Sequence, residues 1–333
     1  MLSAIYCKVM NVRNALYDRG TFEVHGLGAR TISVGNITVG GTGKTPLVAK
    51  IAEMLAEKGE KVCILTRGYG RKHPKKRVLV SDGEAVLTNA EIGGDEPVEL
   101  AQKLLGKAVV VADADRVAAA EWASSEFGIT AFVLDDGFQH RRAKRDLDIV
   151  CIDATNPFGG GRTLPAGRLR EPLAGLTRAD AVIITRALSA PVSSVDRLEQ
   201  ELADFAPDAV IFRSTNSVRG LRTIGGGSVQ EAGNKFIAFC GIGNPEHLFD
   251  TARTQTDGRL VGTLAFADHH RYTQDDIEKI ENFAREMSAD AMLTSAKDAV
   301  KLDTLKFSIP CFVMEIEPVV EPAYEFEKLI FGE

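Results

Sequence analysis

The sequence predicts an α/β fold, a parallel sheet flanked by helices with a second, smaller α/β unit after it. Three observations carry this. Residues 31–47, TISVGNITVGGTGKTPL, read as a strand, a glycine loop and a helix start. Further apolar runs at 61–65, 108–112 and 129–134 each end in a glycine-rich or charged turn, the pattern of strands feeding helices in a parallel sheet. A shift in composition at 187–195, ALSAPVSSV, precedes a boundary placed at 205–235, and a new α/β unit opens at 235–240. At 333 residues the chain suits two domains or one large α/β domain.

Bulk properties narrow the function classes. Net charge is −6, so no basic field argues for a nucleic-acid partner. Residues 61–80 nevertheless carry Lys61, Arg67, Arg71, Lys72, Lys75, Lys76 and Arg77 with no acidic residue, a run that suits a solvated surface, an anionic substrate or lipid headgroups. The five cysteines form no CxxC pair, and four lie in apolar runs, the usage of reduced, buried thiols. The longest charge-free stretch, 31–43, is rich in glycine and far short of the roughly 20 apolar residues a membrane span takes. At the N-terminus Leu2, Ile5, Tyr6, Val9 and Met10 recur at helical spacing beside Lys8, Arg13 and Arg19. That pattern fits a helix packed on its own domain or one lying on an anionic membrane.

The glycine loop sets the chemistry. In Gly40-Gly41-Thr42-Gly43-Lys44-Thr45 the glycines let backbone N–H groups approach polyphosphate oxygens, Lys44 reaches the β and γ phosphates, and the Thr45 hydroxyl serves Mg²⁺. Thr38 stands where the P-loop pattern has its first glycine, so the full motif is not met. Pro46 fits a first helical turn, Leu47, Val48, Ile51 and Leu55 share one helical face, and Gly59 ends it.

The later turns supply charge. TRGYGR at 66–71 places two arginines after a strand, as a holder of phosphate or sugar or as a basic surface turn. GGDEP at 93–97 opens a helix, with Asp95 as its natural N-cap or as a candidate base. Arg116 follows the 108–112 strand, as a phosphate clamp or a helix-start ion pair. The run 129–134 delivers Asp135 and Asp136 at a strand tip, as in a Walker B site that orders Mg²⁺, and Gly137-Phe138-Gln139-His140 continue the turn. Strands are expected at 148–153, 181–185, 209–213, 291–294 and 311–316, with helices to about 205 and over 275–287. The long loop 156–171 carries Arg168, Arg170 and Glu171 toward nucleotide or acceptor. Asp268-His269-His270 suits a structural turn or an Asp–His proton pair, with no third metal ligand at a familiar spacing.

Taken in order, SVGNITVGGTGKTP, TRGYGR, GGDEP, DADR, LDDGFQHRRAKRDLDIVCIDA, LPAGRLREP, FCGIGNPEHLF and FADHHRYT resemble the tetraacyldisaccharide 4'-kinase family, the lipid A 4'-kinases of Gram-negative bacteria. The resemblance spans about 12–302. It implies a P-loop kinase on the cytoplasmic face of the inner membrane, peripheral, using ATP and Mg²⁺ to phosphorylate the 4'-hydroxyl of a tetraacyldisaccharide 1-phosphate, with no obligate protein partner. It also implies an N-terminal membrane-contacting helix at 1–20, a kinase domain at 21–205, linker strands at 206–234 and a smaller α/β domain at 235–333. Carried onto this chain, Lys44 and Thr45 serve phosphate and Mg²⁺, Asp135 and Asp136 the metal, and Asp95 is the base with His269 its partner across the cleft. Arg116, Gln139, His140, Arg170 and Glu171 fall on site-forming motifs. Arg168, Gly160 and Ala296 depart from the family pattern, and these positions bear on acceptor contacts rather than on phosphoryl transfer. A different class, a nucleotide-driven switch or maturation ATPase, shares the GGTGKT loop, but Val39 stands where its signature lysine belongs.

Overall fold

The computed structural model describes residues 2–224 and 235–333. Helix α1 (Leu2–Asp18) precedes β1 (Arg30–Gly35), whose Ile32 and Val34 are fully buried. Gly43 adopts a left-handed conformation (φ 79°) that L side chains resist, and it hands the chain to α2 (Lys44–Glu57). Pro46 sits in the first turn of that helix, and Leu47, Val48, Ile51 and Leu55 are buried on its inner face.

Next come β2 (Val62–Thr66), β3 (Val78–Ser81), the one-turn α3 (Ala90–Gly93), α4 (Asp95–Lys103), β4 (Ala108–Ala112) and α5 (Arg116–Phe127). β5 (Ala131–Asp135), β6 (Leu147–Asp153), β7 (Ala181–Thr185) and α6 (Val192–Phe205) complete the first unit's series. A long strand, β8 (Val210–Ile224), leads out of it. The second unit holds β9 (Phe236–Cys240), α7 (Pro245–Gln255), β10 (Leu260–Ala265), α8 (Gln274–Glu286), β11 (Ala291–Ser295) and the one-turn α9 (Ala296–Ala299). β12 (Cys311–Glu321) and α10 (Ala323–Phe331) follow.

Among the described residues these strands form one sheet in the order β10-β9-β11-β12-β8-β7-β6-β1-β5-β2-β4-β3. Pairing is parallel except at β3–β4 and β12–β8. Strands buried on both faces read as continuous apolar runs. Thus Ile64 and Val133 pack with α2 on one face of the first unit, while Cys63 and Phe132 pack with α5 on the other. The five free cysteines include four buried in strands, at positions 63, 151, 240 and 311.

Register explains how the two units meet. The start of β8 pairs with β7, and the start of β12 pairs with β11. Between them β8 and β12 run antiparallel for nearly their whole lengths, with a bulge at Glu315/Ile316. Strand ends of the first unit therefore point along β8 toward the second, and those of the second point back along β12. The two carboxyl edges, where α/β folds place their sites, face each other.

The structure alters several expectations. β8 and β12 run well past the 209–213 and 311–316 expected. The extension of β8 is polar and half exposed, while that of β12 alternates buried Pro318 and Val320 with exposed Val319 and Glu321, and the two extensions pair with each other. Residues 225–234 of the expected linker lie outside the described residues. Val320, Phe326 and Ile330, within the 235–333 expected for the second unit, belong to the first unit's core with Leu47 and Ile51. Asp95 is not an N-cap: Gly94 (φ 96°) occupies that position without a side-chain cap, and Asp95 is the first helical residue.

Candidate active site

The glycine loop is held from every side. Thr42 Oγ1 accepts from Asn36 Nδ2 at 3.0 Å, and its carbonyl accepts from the Thr185 hydroxyl at 2.9 Å. Arg186 donates to the Gly41 carbonyl at 2.9 Å and pairs with Asp153. The 156–171 loop lies alongside: Val39 N donates to the Arg168 carbonyl, Arg168 Nε to the Val39 carbonyl, and Arg170 N to the Ile37 carbonyl. Thr38 joins this pairing as a bridge to Leu169 and is buried. It needs no left-handed backbone, which accounts for the missing glycine of the motif.

Neighbouring strands bring charge to the same edge. Asp135 and Asp136 are adjacent but differ in environment. Asp136, itself left-handed (φ 53°), lies 3.4 Å from Lys44 Nζ and accepts Arg170 Nη1 at both oxygens, 2.7 and 2.6 Å. Burial works against its charge, yet Lys44 and Arg170 hold the carboxyl down at about 2. Asp135 is buried. It takes one bond, from Thr66 Oγ1 at 2.9 Å, and its Oδ1 has no partner among the described residues. Burial first, then the Glu96 and Asp136 carboxylates, push it up to about 7. An orphaned carboxylate oxygen beside a hydroxyl is a donor set for a hard cation. Asp136, expected as a second metal ligand, is ion-paired with Lys44 and Arg170.

Arg116 is 4% exposed, with one long bond to the Ala114 carbonyl (3.4 Å) and an unpartnered Nε among the described residues. Burial lowers its pKa, opposed by Asp135 and Asp136. His140 lines the same cleft, and burial, then Arg116 and Arg145, bring it down to about 4. Gln139 donates to the Asn36 carbonyl at 2.8 Å and to Glu171 at 2.9 Å, so its amide braces the loop. Glu171 does not reach the cleft. It is 0% exposed and saturated by Asn14, Gln139 and Arg178, so its charge fastens α1 and the loop rather than a nucleotide.

Across from these groups, His269 Nδ1 lies 3.1 Å from Asp95 Oδ2. The pair expected from sequence is thus in contact, made by α4 of the first unit and the β10–α8 turn of the second. Lys297 Nζ stands 3.3 Å from His269 Nε2, 3.3 Å from Asp268 and 3.7 Å from Glu96. An ammonium can only donate. Nε2 is therefore the acceptor, and the ring proton sits on Nδ1, facing Asp95. Burial opposes ionisation of Asp95, but His269, Lys301 and Lys297 together lower its pKa. The lysines escaped sequence reasoning because their roles depend on a one-turn helix meeting another unit. Their spacing of four was the available signal.

A cleft of about 1420 Å³ joins the two halves. It is lined by Gly40–Thr45, Arg116, Asp135, Asp136 and Gln139 on one side and by His269 and Lys297 on the other, with Tyr6, Met10 and Arg13 of α1 at its edge. Such a space accommodates a nucleotide together with part of a larger acceptor.

The chain is similar to known proteins over nearly its whole length. The family model for tetraacyldisaccharide-1-P 4'-kinase, LpxK, matches residues 1–331. The tetraacyldisaccharide 4'-kinase of Halothermothrix orenii is 37% identical over 350 residues, covering 99% of this chain and 90% of its own. That of Geobacter metallireducens is 39% identical over 306 residues, covering 91% and 87%. The crystal structure of the apo form of LpxK from Aquifex aeolicus in complex with ATP is similar at a TM-score of 0.79 and 33% identity, covering 99% of this chain and 96% of that one.

Proposed function

Since the chain belongs to the tetraacyldisaccharide-1-P 4'-kinase family, we propose that Asp95 takes the proton of the acceptor's 4'-hydroxyl while the glycine loop holds ATP. The enzyme is a lipid kinase of lipid A biosynthesis, and its acceptor is tetraacyldisaccharide 1-phosphate. The observation that carries the reading is the 3.1 Å contact between Asp95 of the first unit and His269 of the second, which lines the cleft. The His269 Nδ1 proton faces Asp95 Oδ2, which keeps the carboxylate ionised and aimed. The 4'-hydroxyl oxygen attacks the γ-phosphorus, the bond to the β-bridging oxygen breaks, and the hydroxyl proton passes to Asp95. A carboxylate is a weak base for an alcohol, but in a loose transition state positioning and charge balance dominate. Lys44 and the buried Arg116 supply positive charge at the phosphates, and Asp136 orients Lys44 and Arg170.

Mg²⁺ fits Asp135, through its orphaned Oδ1, together with the Thr45 hydroxyl. Bound there it supplies charge neutralisation to the β and γ phosphates. Magnesium commonly takes one or two carboxylates plus phosphate oxygens, so a larger protein cage is not required.

The membrane surface enters through α1. Leu2, Ile5, Val9 and Val12 are all more than half exposed and lie on one helical stripe. The other stripe is tied down by Tyr6 to the Arg170 carbonyl, Arg13 to the Gln139 carbonyl and Asn14 to Glu171. No described helix is long and apolar enough to cross a membrane. An apolar stripe on a docked helix suits peripheral seating on the cytoplasmic face of the inner membrane, where a tetraacylated acceptor resides.

The test is turnover of purified protein with ATP, Mg²⁺ and disaccharide 1-phosphate lipid in micelles. Asp95→Ala should lower kcat by about 10²–10⁴ and leave the KM for ATP within a factor of about 2. His269→Ala added to it should cost little more, since the two act as a unit. ATP turnover without phosphorylated lipid, or near-wild-type kcat in Asp95→Ala, would overturn the reading.

A further inference from the structure

Behind the Asp95–His269 contact lies a second layer that the proposed mechanism does not use. Lys301 follows α9, and its side chain is 7% exposed. Its ammonium donates to Asp298 Oδ1 at 2.9 Å, faces Asp95 Oδ2 at 3.9 Å and lies 5.4 Å from the Tyr272 ring centre. One cation is thus shared between two carboxylates, one from each unit. Asp298 is 0% exposed, and its Oδ2 accepts from Gly241 N at 3.1 Å and from Ser295 Oγ at 2.6 Å.

Gly241 links this carboxylate to His269. A Cβ at position 241 would come within 2.9 Å of His270 Cβ, 3.0 Å of the Ala267 carbonyl and 3.3 Å of Asp298 Oδ1, so glycine is required for the close approach. The Gly241 carbonyl then accepts from His269 N at 3.0 Å. His269 itself is held in a left-handed conformation, φ 60°, which a non-glycine residue keeps only when its surroundings enforce it. One buried carboxylate thus anchors two of the groups that the second unit presents to Asp95, His269 and Lys301.

We infer that Lys301, seated on Asp298, is a positioning residue for phosphoryl transfer: it holds the Asp95 carboxylate ionised and in register with His269 when the two units meet. The inference rests on the reading of Asp95 as the base. The charged and titratable groups around Asp95 are His269 from the β10–α8 turn, Lys301 and Lys297 from the α9 segment, and Glu96 beside it on α4, with Asp268 and Asp298 behind the lysines. Of the cations only Lys301 has no contact with Asp268 or Glu96, so its second carboxylate is Asp95.

Lys301→Met keeps the length of the stem and removes the charge. It should lower kcat at least about tenfold while the KM for ATP stays within about twofold. The acid limb of the kcat profile should move up by about one pH unit, because a cation within about 4–6 Å lowers a carboxyl pKa by one unit or more. Lys301→Arg should restore most of kcat. Lys301→Gln, which removes the charge but keeps a polar head, should move the limb in the same direction, and it keeps the test open if Lys301→Met does not fold. An unmoved acid limb in Lys301→Met, with kcat per folded enzyme within twofold of wild type, overturns the inference. The two readings fail separately. If Asp95→Ala remains active, the base assignment falls. If Asp95→Ala is inactive and Lys301→Met behaves as wild type, only the role of Lys301 falls.

Discussion

At the scale of single residues, adjacent side chains of one type do different work because their surroundings differ. Asp136 gives its charge to Lys44 and Arg170, while Asp135 keeps a free oxygen in a buried setting. Glu171 is the sharper case, since its buried charge answers Arg178 and tethers Asn14. Glu171→Ala should destabilise the protein by about 3–5 kcal/mol, the cost of stranding a buried cation, with a much smaller change in ATP affinity. Denaturant unfolding beside nucleotide titration checks this. His140 links pH to stability. Its imidazole titrates near 6.5 when unfolded and at about 4 when folded, so between those values only the unfolded chain takes the proton. Stability therefore falls as pH drops from about 6.5 to 4. His140→Gln should lose less Tm than wild type across that window, and parallel melting curves would deny it. Lys44, Thr45 and Asp135 were legible as site positions because each follows an apolar run in a recognisable motif, whereas Asp95 and His269 were singled out from their structural alternatives only by the family resemblance. The fates of Asp136 and Glu171 were not, since no sequence pattern says which neighbour will neutralise a carboxylate.

At the scale of elements, legibility followed burial. The fully buried strands β2, β4, β5, β6, β7 and β9 announce themselves as apolar runs, and β7 has the expected bounds of 181–185. The outer lengths of β8 and β12 carry Arg219, Arg222, Glu315 and Glu317, and nothing local distinguishes them from loop. Their structure comes from pairing between segments distant in sequence, and salt bridges such as Lys50–Glu317 at 2.6 Å fasten that ribbon to α2. Helix α1 poses the opposite problem, because its spacing was plain but its orientation was not. Tyr6 and Met10 turn to the cleft, while Leu2, Ile5 and Val9 turn outward. Replacing Leu2, Ile5, Val9 and Val12 with serine should weaken sedimentation with anionic vesicles several-fold. Removing exposed side chains from a site outside the core should shift stability by only about 0.5 kcal/mol each. Undiminished vesicle binding would overturn the proposed membrane seating of α1.

At the scale of the molecule, two units that face each other across an antiparallel ribbon create a site neither holds alone. The first contributes the glycine loop and carboxylates, and the second contributes His269 and its lysines. The first unit is also closed from a distance, because Phe326 of α10 packs edge-on against Phe212 with ring centres 5.6 Å apart. Phe326→Ala should cost about 3–5 kcal/mol, read as a lower denaturant midpoint, and an unchanged midpoint would show that α10 is dispensable to the core. This wiring fixes an order of events during synthesis on the ribosome. The strands of the first unit emerge early, but the residues that seal their core, Val320, Phe326 and Ile330, are made only after the whole second unit. At about 5–20 residues per second, that leaves a nascent kinase with an open apolar flank for several seconds. The second unit is thus also a delay line between the making of the first unit's strands and the making of the residues that close their core.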